Sequence, residues 1–145
     1  MSMTVARTHA GLASTLRISV MRLARRLRAE RADETLTLSQ LATLGTLYRH
    51  GPMTLGELAM HERVQPPSMT RIVSGLEERG LIGREPHRTD RRLVIVSLTD
   101  DAVALLTADR RRRDAWLAQR LRELDQDEHE ALRQALPVLE KLAGL

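Results

Sequence analysis

A mainly α-helical fold carrying one small β-hairpin is what this sequence of 145 residues predicts, and three observations predict it. Apolar residues recur at helical spacing at both ends: Leu12, Leu16, Val20, Leu23 and Leu27 step by three or four, and so do Leu132, Leu136, Leu139 and Leu142. Helix-starting and helix-stopping residues punctuate the middle at short intervals. One β-branched run, Leu93–Leu98 (LVIVSL), follows a polar stretch and reads as strand.

The elements follow in order. On the first helix, Arg17, Arg22, Arg25, Arg26 and Arg28 occupy the wheel outside the leucine stripe. Thr37 with Gln40 can cap a second helix through about His50, which Gly51-Pro52 ends. Thr54 with Glu57 is another capping signature and opens a short helix, Leu55 to about Glu62. Pro66-Pro67 suits the first turn of the next helix, where a missing N–H costs nothing. That helix runs to Arg79 and stops at Gly80, with Leu81 placed for the hydrophobic contact of a Schellman end. Leu81–Glu85 and Leu93–Leu98 then form two strands joined by the polar segment PHRTDRR. After Thr99 a long helix continues to about Leu124, polar around almost two turns at Asp109–Asp114, so it is expected to bridge two separately packed lobes. Asp125 with Glu128 caps the last helix, which Pro137 is expected to bend. Helix, helix, turn, helix, hairpin is the order of a winged helix-turn-helix.

Composition narrows the function. There is no cysteine, which excludes disulfides, thiolate metal sites and thiol chemistry. Tyr48 and Trp116 are the only aromatics, too few for the base-stacking platforms of single-strand binders. Residues 1–15 lack the apolar run of a signal peptide, and no stretch reaches the ~20 apolar residues of a membrane span, so a cytoplasmic protein is expected. The formal charge is +4, nearly all of the positive charge being arginine, and the basic excess falls within residues 1–31 and 49–99. Arginine's planar fork suits phosphates and base edges. His9, His50, His61, His87 and His129 are scattered, with no two at i, i+4, so neither a metal nor another cofactor is expected. No catalytic constellation stands out, and no enzyme is expected. An amphipathic membrane-surface helix at residues 10–29 is disfavoured because its stripe lacks Trp or Phe anchors.

In the helix after Pro66, Met69, Ile72, Val73 and Leu76 share a face and must be core. Gln65, Pro67, Ser68, Thr70, Arg71 and Ser74 are left outward, with Glu77 and Glu78 only at the end. A helix entering the major groove reads bases with its N-terminal half, so this neutral-and-basic-first order fits double-stranded DNA. Arg71 is the candidate for a guanine edge and Pro67 for a thymine methyl. At the hairpin tip stand Arg88, Asp90, Arg91 and Arg92. An arginine there can enter the narrow minor groove if Asp90, on the same side of the strand as Arg92, holds its fork. The bland alternatives are a solvated helix face and a surface ion pair, or a winged helix that binds proteins.

These residues resemble the MarR (multiple antibiotic resistance regulator) family. LTLSQLATLGTL and MTLGELA are similar to the family's second and third helices, VQPPSMTRIVSGLEERGLIGR to its recognition helix and following strand, and DRRLVIVSLTDDA to its wing. The similarity is continuous from about Leu36 to Leu106. Ala102 stands where the family usually has glycine. The resemblance implies a homodimeric regulator on a palindromic operator, often a repressor, relieved by a small ligand; it also implies that Asp90 pairs with Arg92 and delivers it to the minor groove. An anionic or phenolic effector near the basic first helix is a candidate, as is a constitutive regulator without ligand. The expected organisation is an N-terminal dimerisation helix over 1–32, a winged DNA-binding lobe over 36–98, and a bridging helix with a C-terminal dimerisation helix over 99–145. Leu12, Leu16, Val20, Leu132, Leu136 and Leu139 carry the dimer contact, the economical way to cover terminal stripes that bury little in one chain.

Overall fold

A computed structural model describes residues 7–144; the first six residues of the 1–32 segment, and Leu145, lie outside them. The chain runs α1 (His9–Ala29), α2 (Leu38–His50), β1 (Met53–Thr54), α3 (Leu55–Glu62), α4 (Pro66–Glu78), β2 (Ile82–Pro86), β3 (Val94–Leu98), α5 (Asp100–Leu121) and α6 (Gln126–Leu142). It divides into two compact units, residues 31–110 and the two ends together, and the division falls inside α5.

The unit of residues 31–110 holds the winged helix-turn-helix. Its three strands form an antiparallel sheet in the order β1-β3-β2. Met53 pairs with Val96, and β2 lies along β3 from Ile82↔Leu98 to Pro86↔Val94. Leu44, Leu58, Met69, Val73, Leu76, Val96 and Ala102 are completely buried, joining three helices, the sheet and the start of α5 in one core. Asp109, also buried, accepts a hydrogen bond from the Ala32 N–H and so ties the segment before α2 to α5.

Local chemistry sets the helix ends. Thr37 and Gln40 form the reciprocal box, at 2.9 and 3.1 Å. Thr54 accepts from the Glu57 N–H at 3.1 Å, but this box is only half made, because Thr54 also ends β1 and its backbone belongs to the sheet. At the end of α4, Gly80 takes φ +72°; its N–H donates to Glu77 and that of Leu81 to Leu76, which is the Schellman pattern.

Leu81 is therefore spent on the helix terminus, and β2 begins one residue later than the sequence suggests and ends one later, at Pro86. β3 likewise starts at Val94, because the Leu93 N–H closes a turn onto the Asp90 carbonyl. β1, two residues long, was not foreseen. α5 ends at Leu121 rather than Leu124: from Glu123 the backbone bonds shorten to three residues and the last turn tightens.

The second unit, residues 7–30 with 111–144, is built differently. Thr8 caps α1, and Asp125 with Glu128 forms a reciprocal box on α6, which contains Pro137 without interruption. Arg26 and Arg120 both lie over the Trp116 ring, at 5.4 and 5.6 Å. No apolar side chain of this unit is fully buried among the described residues, and α6 buries none of its residues at all.

Two backbone positions give a paired stability test. Gly80→Ala meets no neighbour within 4 Å of the added Cβ, so its cost is conformational, about 1 kcal/mol. Arg63 ends α3 at φ 54° and is the one non-glycine with positive φ among the described residues. Arg63→Gly should stabilise, by about 0.5 kcal/mol once the added freedom of the unfolded chain is counted. Urea unfolding midpoints moving in opposite directions would bear this out; equal shifts would contradict it.

Candidate nucleic-acid interface

The face of α4 opposite its buried Met69, Val73 and Leu76 is open to solvent. Gln65 is the N-cap residue, yet its side chain makes no capping bond, and Pro66 and Pro67 fill the first two helical positions. Gln65, Pro67, Ser68, Thr70 and Arg71 are all exposed. The Thr70 hydroxyl donates to the Pro66 carbonyl at 3.0 Å, which leaves its lone pairs outward. Arg71 forms no ion pair among the described residues, so its fork is uncommitted.

Ser74 departs from the expected pattern. It is half-buried, and its Oγ accepts from Arg84 Nη2 at 3.1 Å, while Arg84 Nε donates to Glu77 at 2.6 Å. Arg84, on β2, thus spans α4 and the hairpin. A partly exposed pair of this kind contributes ~0–1 kcal/mol to stability. Its larger effect is to neutralise Glu77 on the outward face and to fix the wing against the helix. Sequence reasoning missed Arg84, since nothing local links a strand residue to a helix seven to ten positions earlier.

At the far end of α4, Arg79 pairs with Asp33 and donates to the Thr35 hydroxyl at 2.6 Å. Asp33 also accepts from the Thr35 N–H at 2.8 Å. The Thr35 hydroxyl first and then its N–H, with Arg79 adding less, hold the Asp33 carboxyl below the ordinary aspartate range against the opposing cost of burial.

In the wing, Asp90 accepts from Arg92 three times: Oδ1 from the backbone N–H at 3.1 Å and from Nε at 3.0 Å, and Oδ2 from Nη2 at 3.0 Å. The pair was expected on one side of a strand. It lies instead in the turn before β3, where a carboxylate reaching the N–H two residues on makes an Asx turn. The Arg92 side chain stays 89% exposed although both its carboxylate contacts are made. Arg88 and Arg91 are exposed beside it. The histidines are less scattered than their spacing suggests: the rings of His50 and His61, from α2 and α3, lie 4.8 Å apart. No group of three or more His, Asp or Glu that could hold a metal occurs among the described residues. No helix there is long and apolar enough to cross a membrane.

The Arg92 side chain first, and then its N–H, hold the Asp90 carboxyl below the ordinary aspartate range; Asp90 in turn raises Arg92. A lowered folded value means that the pair's contribution is complete above the unfolded aspartate value and is lost only as pH falls through the folded one. The wing pair should therefore persist at neutral pH and open in acid. Carboxyl NMR titration should show the Asp90 midpoint below that of ordinary aspartates, and Arg92→Ala should return it upward. An ordinary midpoint in the unaltered protein would contradict the pairing.

Similarity to known proteins agrees with this geometry. Residues 36–94 match the MarR family. The chain is 46% identical over 133 residues to an HTH-type transcriptional regulator of Mycobacterium leprae, covering 92% of this chain and 93% of that one. It is 31% identical over 94 residues to the HTH-type transcriptional repressor MdtR of Bacillus subtilis, covering 62% and 61% of the two chains. Among solved structures, a protein of Pseudomonas aeruginosa described as a transcriptional regulator superposes with a TM-score of 0.85 at 35% identity, covering 96% of this chain and 99% of that one. The chain belongs to the MarR family: it is a winged helix-turn-helix, DNA-binding transcriptional regulator and not an enzyme.

Proposed function

We propose that the protein acts in the cytoplasm as a homodimeric repressor on a palindromic operator, with α4 in the major groove, the Arg92 wing in the adjacent minor groove, and release triggered by a small anionic or phenolic effector. The observation that carries the DNA half is the pairing of an uncommitted Arg71 on the open face of α4 with an Arg92 that is braced by Asp90 and still exposed. Gln65, Pro67, Ser68 and Thr70 complete the reading face, while Arg88 and Arg91 supply phosphate contacts. Ser74 acts through its bond with Arg84.

The dimer half rests on the apolar surface of the terminal helices. Leu12 is 50% exposed, Val20 48%, Leu132 44%, Leu136 57% and Leu139 38%, and Leu16 is half-buried. Exposed apolar stripes of this kind are covered in a stable protein, and a two-fold partner presenting the same stripes covers them with self-complementary contacts. The repressor role draws on the name of MdtR, and effector release on the family resemblance.

Selection of bound genomic fragments, repeated against a panel of candidate effectors, tests the proposal. A palindrome with half-site centres about one helical turn apart is expected. A protein that ignores duplex DNA at low ionic strength, or binds without salt dependence, would favour contacts with proteins instead. Arg92→Ala should weaken operator and non-operator DNA alike and lower the salt slope, and Arg71→Ala should relax one base position per half-site, worth ~1–3 kcal/mol. Leu136→Glu should shift the sedimentation coefficient to that of a single chain; an unaltered dimer would place the contact elsewhere.

A further inference from the structure

We infer that His87 is a positioning residue for the wing arginine: its unprotonated Nδ1 folds the loop that aims Arg92. This rests on the reading that the wing meets DNA. Two backbone N–H groups donate to that nitrogen, that of Asp90 at 3.1 Å and that of Thr89 at 3.2 Å, and the Thr89 hydroxyl lies 3.2 Å from it. A backbone N–H can only donate, so Nδ1 presents its lone pair and the ring proton sits on Nε2.

The backbone closes the same loop twice more. The His87 N–H donates to the Leu93 carbonyl at 3.1 Å, and the Leu93 N–H to the Asp90 carbonyl at 3.0 Å. Asp90 is thereby held at both its N–H and its C=O, and its carboxylate is the group that grips Arg92. Apart from that carboxylate, His87 is the only side chain hydrogen-bonded to the backbone of residues 88–93 among the described residues. The line of restraint thus runs from ring to loop, from loop to carboxylate, and from carboxylate to guanidinium.

The charged group set against the ring is Asp90. Arg88, Arg91 and Arg92 lie in the same loop, Arg84 and Glu85 on β2, and β3 brings no charged residue.

The test uses the full chain, with binding to a random-sequence duplex at low ionic strength and the NMR signal of the Arg92 Nε–H in the free protein. At about pH 8, His87→Ala should weaken binding roughly tenfold, as Arg92→Ala does, and move the Nε–H signal. His87→Asn, whose side-chain oxygen can accept where Nδ1 did, should rescue both, with binding recovered to within about twofold of the unaltered protein. Matching circular dichroism spectra confirm that the variants fold. The inference is overturned if His87→Ala binds normally while Arg92→Ala does not, if His87→Asn is as defective as His87→Ala, or if the Nε–H signal ignores His87. Should Arg92→Ala itself bind normally, the wing reading fails, and the Nε–H signal alone decides the role of His87.

Discussion

The joint at Gly80, Leu81 and Thr99 is the constraint on which the open face of α4 and the wing depend. Gly80 turns α4 off in a left-handed conformation, and Leu81 passes directly from that turn into β2. On the other side Thr99 closes the hairpin: its N–H donates to the Leu81 carbonyl at 3.1 Å and its hydroxyl to the Gly80 carbonyl at 2.6 Å. The same hydroxyl accepts from the Ala102 N–H at 3.3 Å, at the start of α5. One threonine thus fastens the end of α4, the base of the wing and the root of α5 at a single point. The last-turn carbonyls of α4 are met by the N–H groups of Arg79, Gly80 and Leu81, and the carbonyls of Gly80 and Leu81 in turn by Thr99.

Electrostatics on this surface follow a division of labour. Three acids near the outward face are engaged, Glu77 with Arg84, Asp33 with Arg79 and Asp90 with Arg92. Each pair lies in partly exposed surroundings, where attraction contributes little to folding. What the pairs achieve is placement: one arginine joins helix to strand, one joins helix to the segment before α2, and one is pointed outward. Arg71 on α4, and Arg88 and Arg91 in the wing, form no ion pair among the described residues, so their guanidinium forks stay uncommitted.

How much of this could be read in advance depended on sequence separation. The box at Thr37 and Gln40, the Schellman end at Gly80 and the pairing of Asp90 with Arg92 involve residues at most five apart, and each was readable from residue type and spacing. β1 was not, because two residues carry no alternation to detect. Arg84 with Ser74 and Glu77, and the stacking of His50 on His61, depend on how helices pack, which spacing alone does not encode. The one-residue offsets at the starts of β2 and β3 arise because Leu81 and Leu93 are recruited to turns.

Pro66 and Pro67 at the start of α4 have a consequence for the cost of recognition. Neither ring has an amide hydrogen to offer, so of the first three helical positions only Ser68 can present one to a phosphate. Anchoring therefore falls to side chains rather than to the peptide backbone. In exchange, two fixed φ angles hold the leading turn in its helical shape in free solution. In the proposed reading role, α4 would arrive already ordered, with little chain entropy left to surrender at the moment of contact.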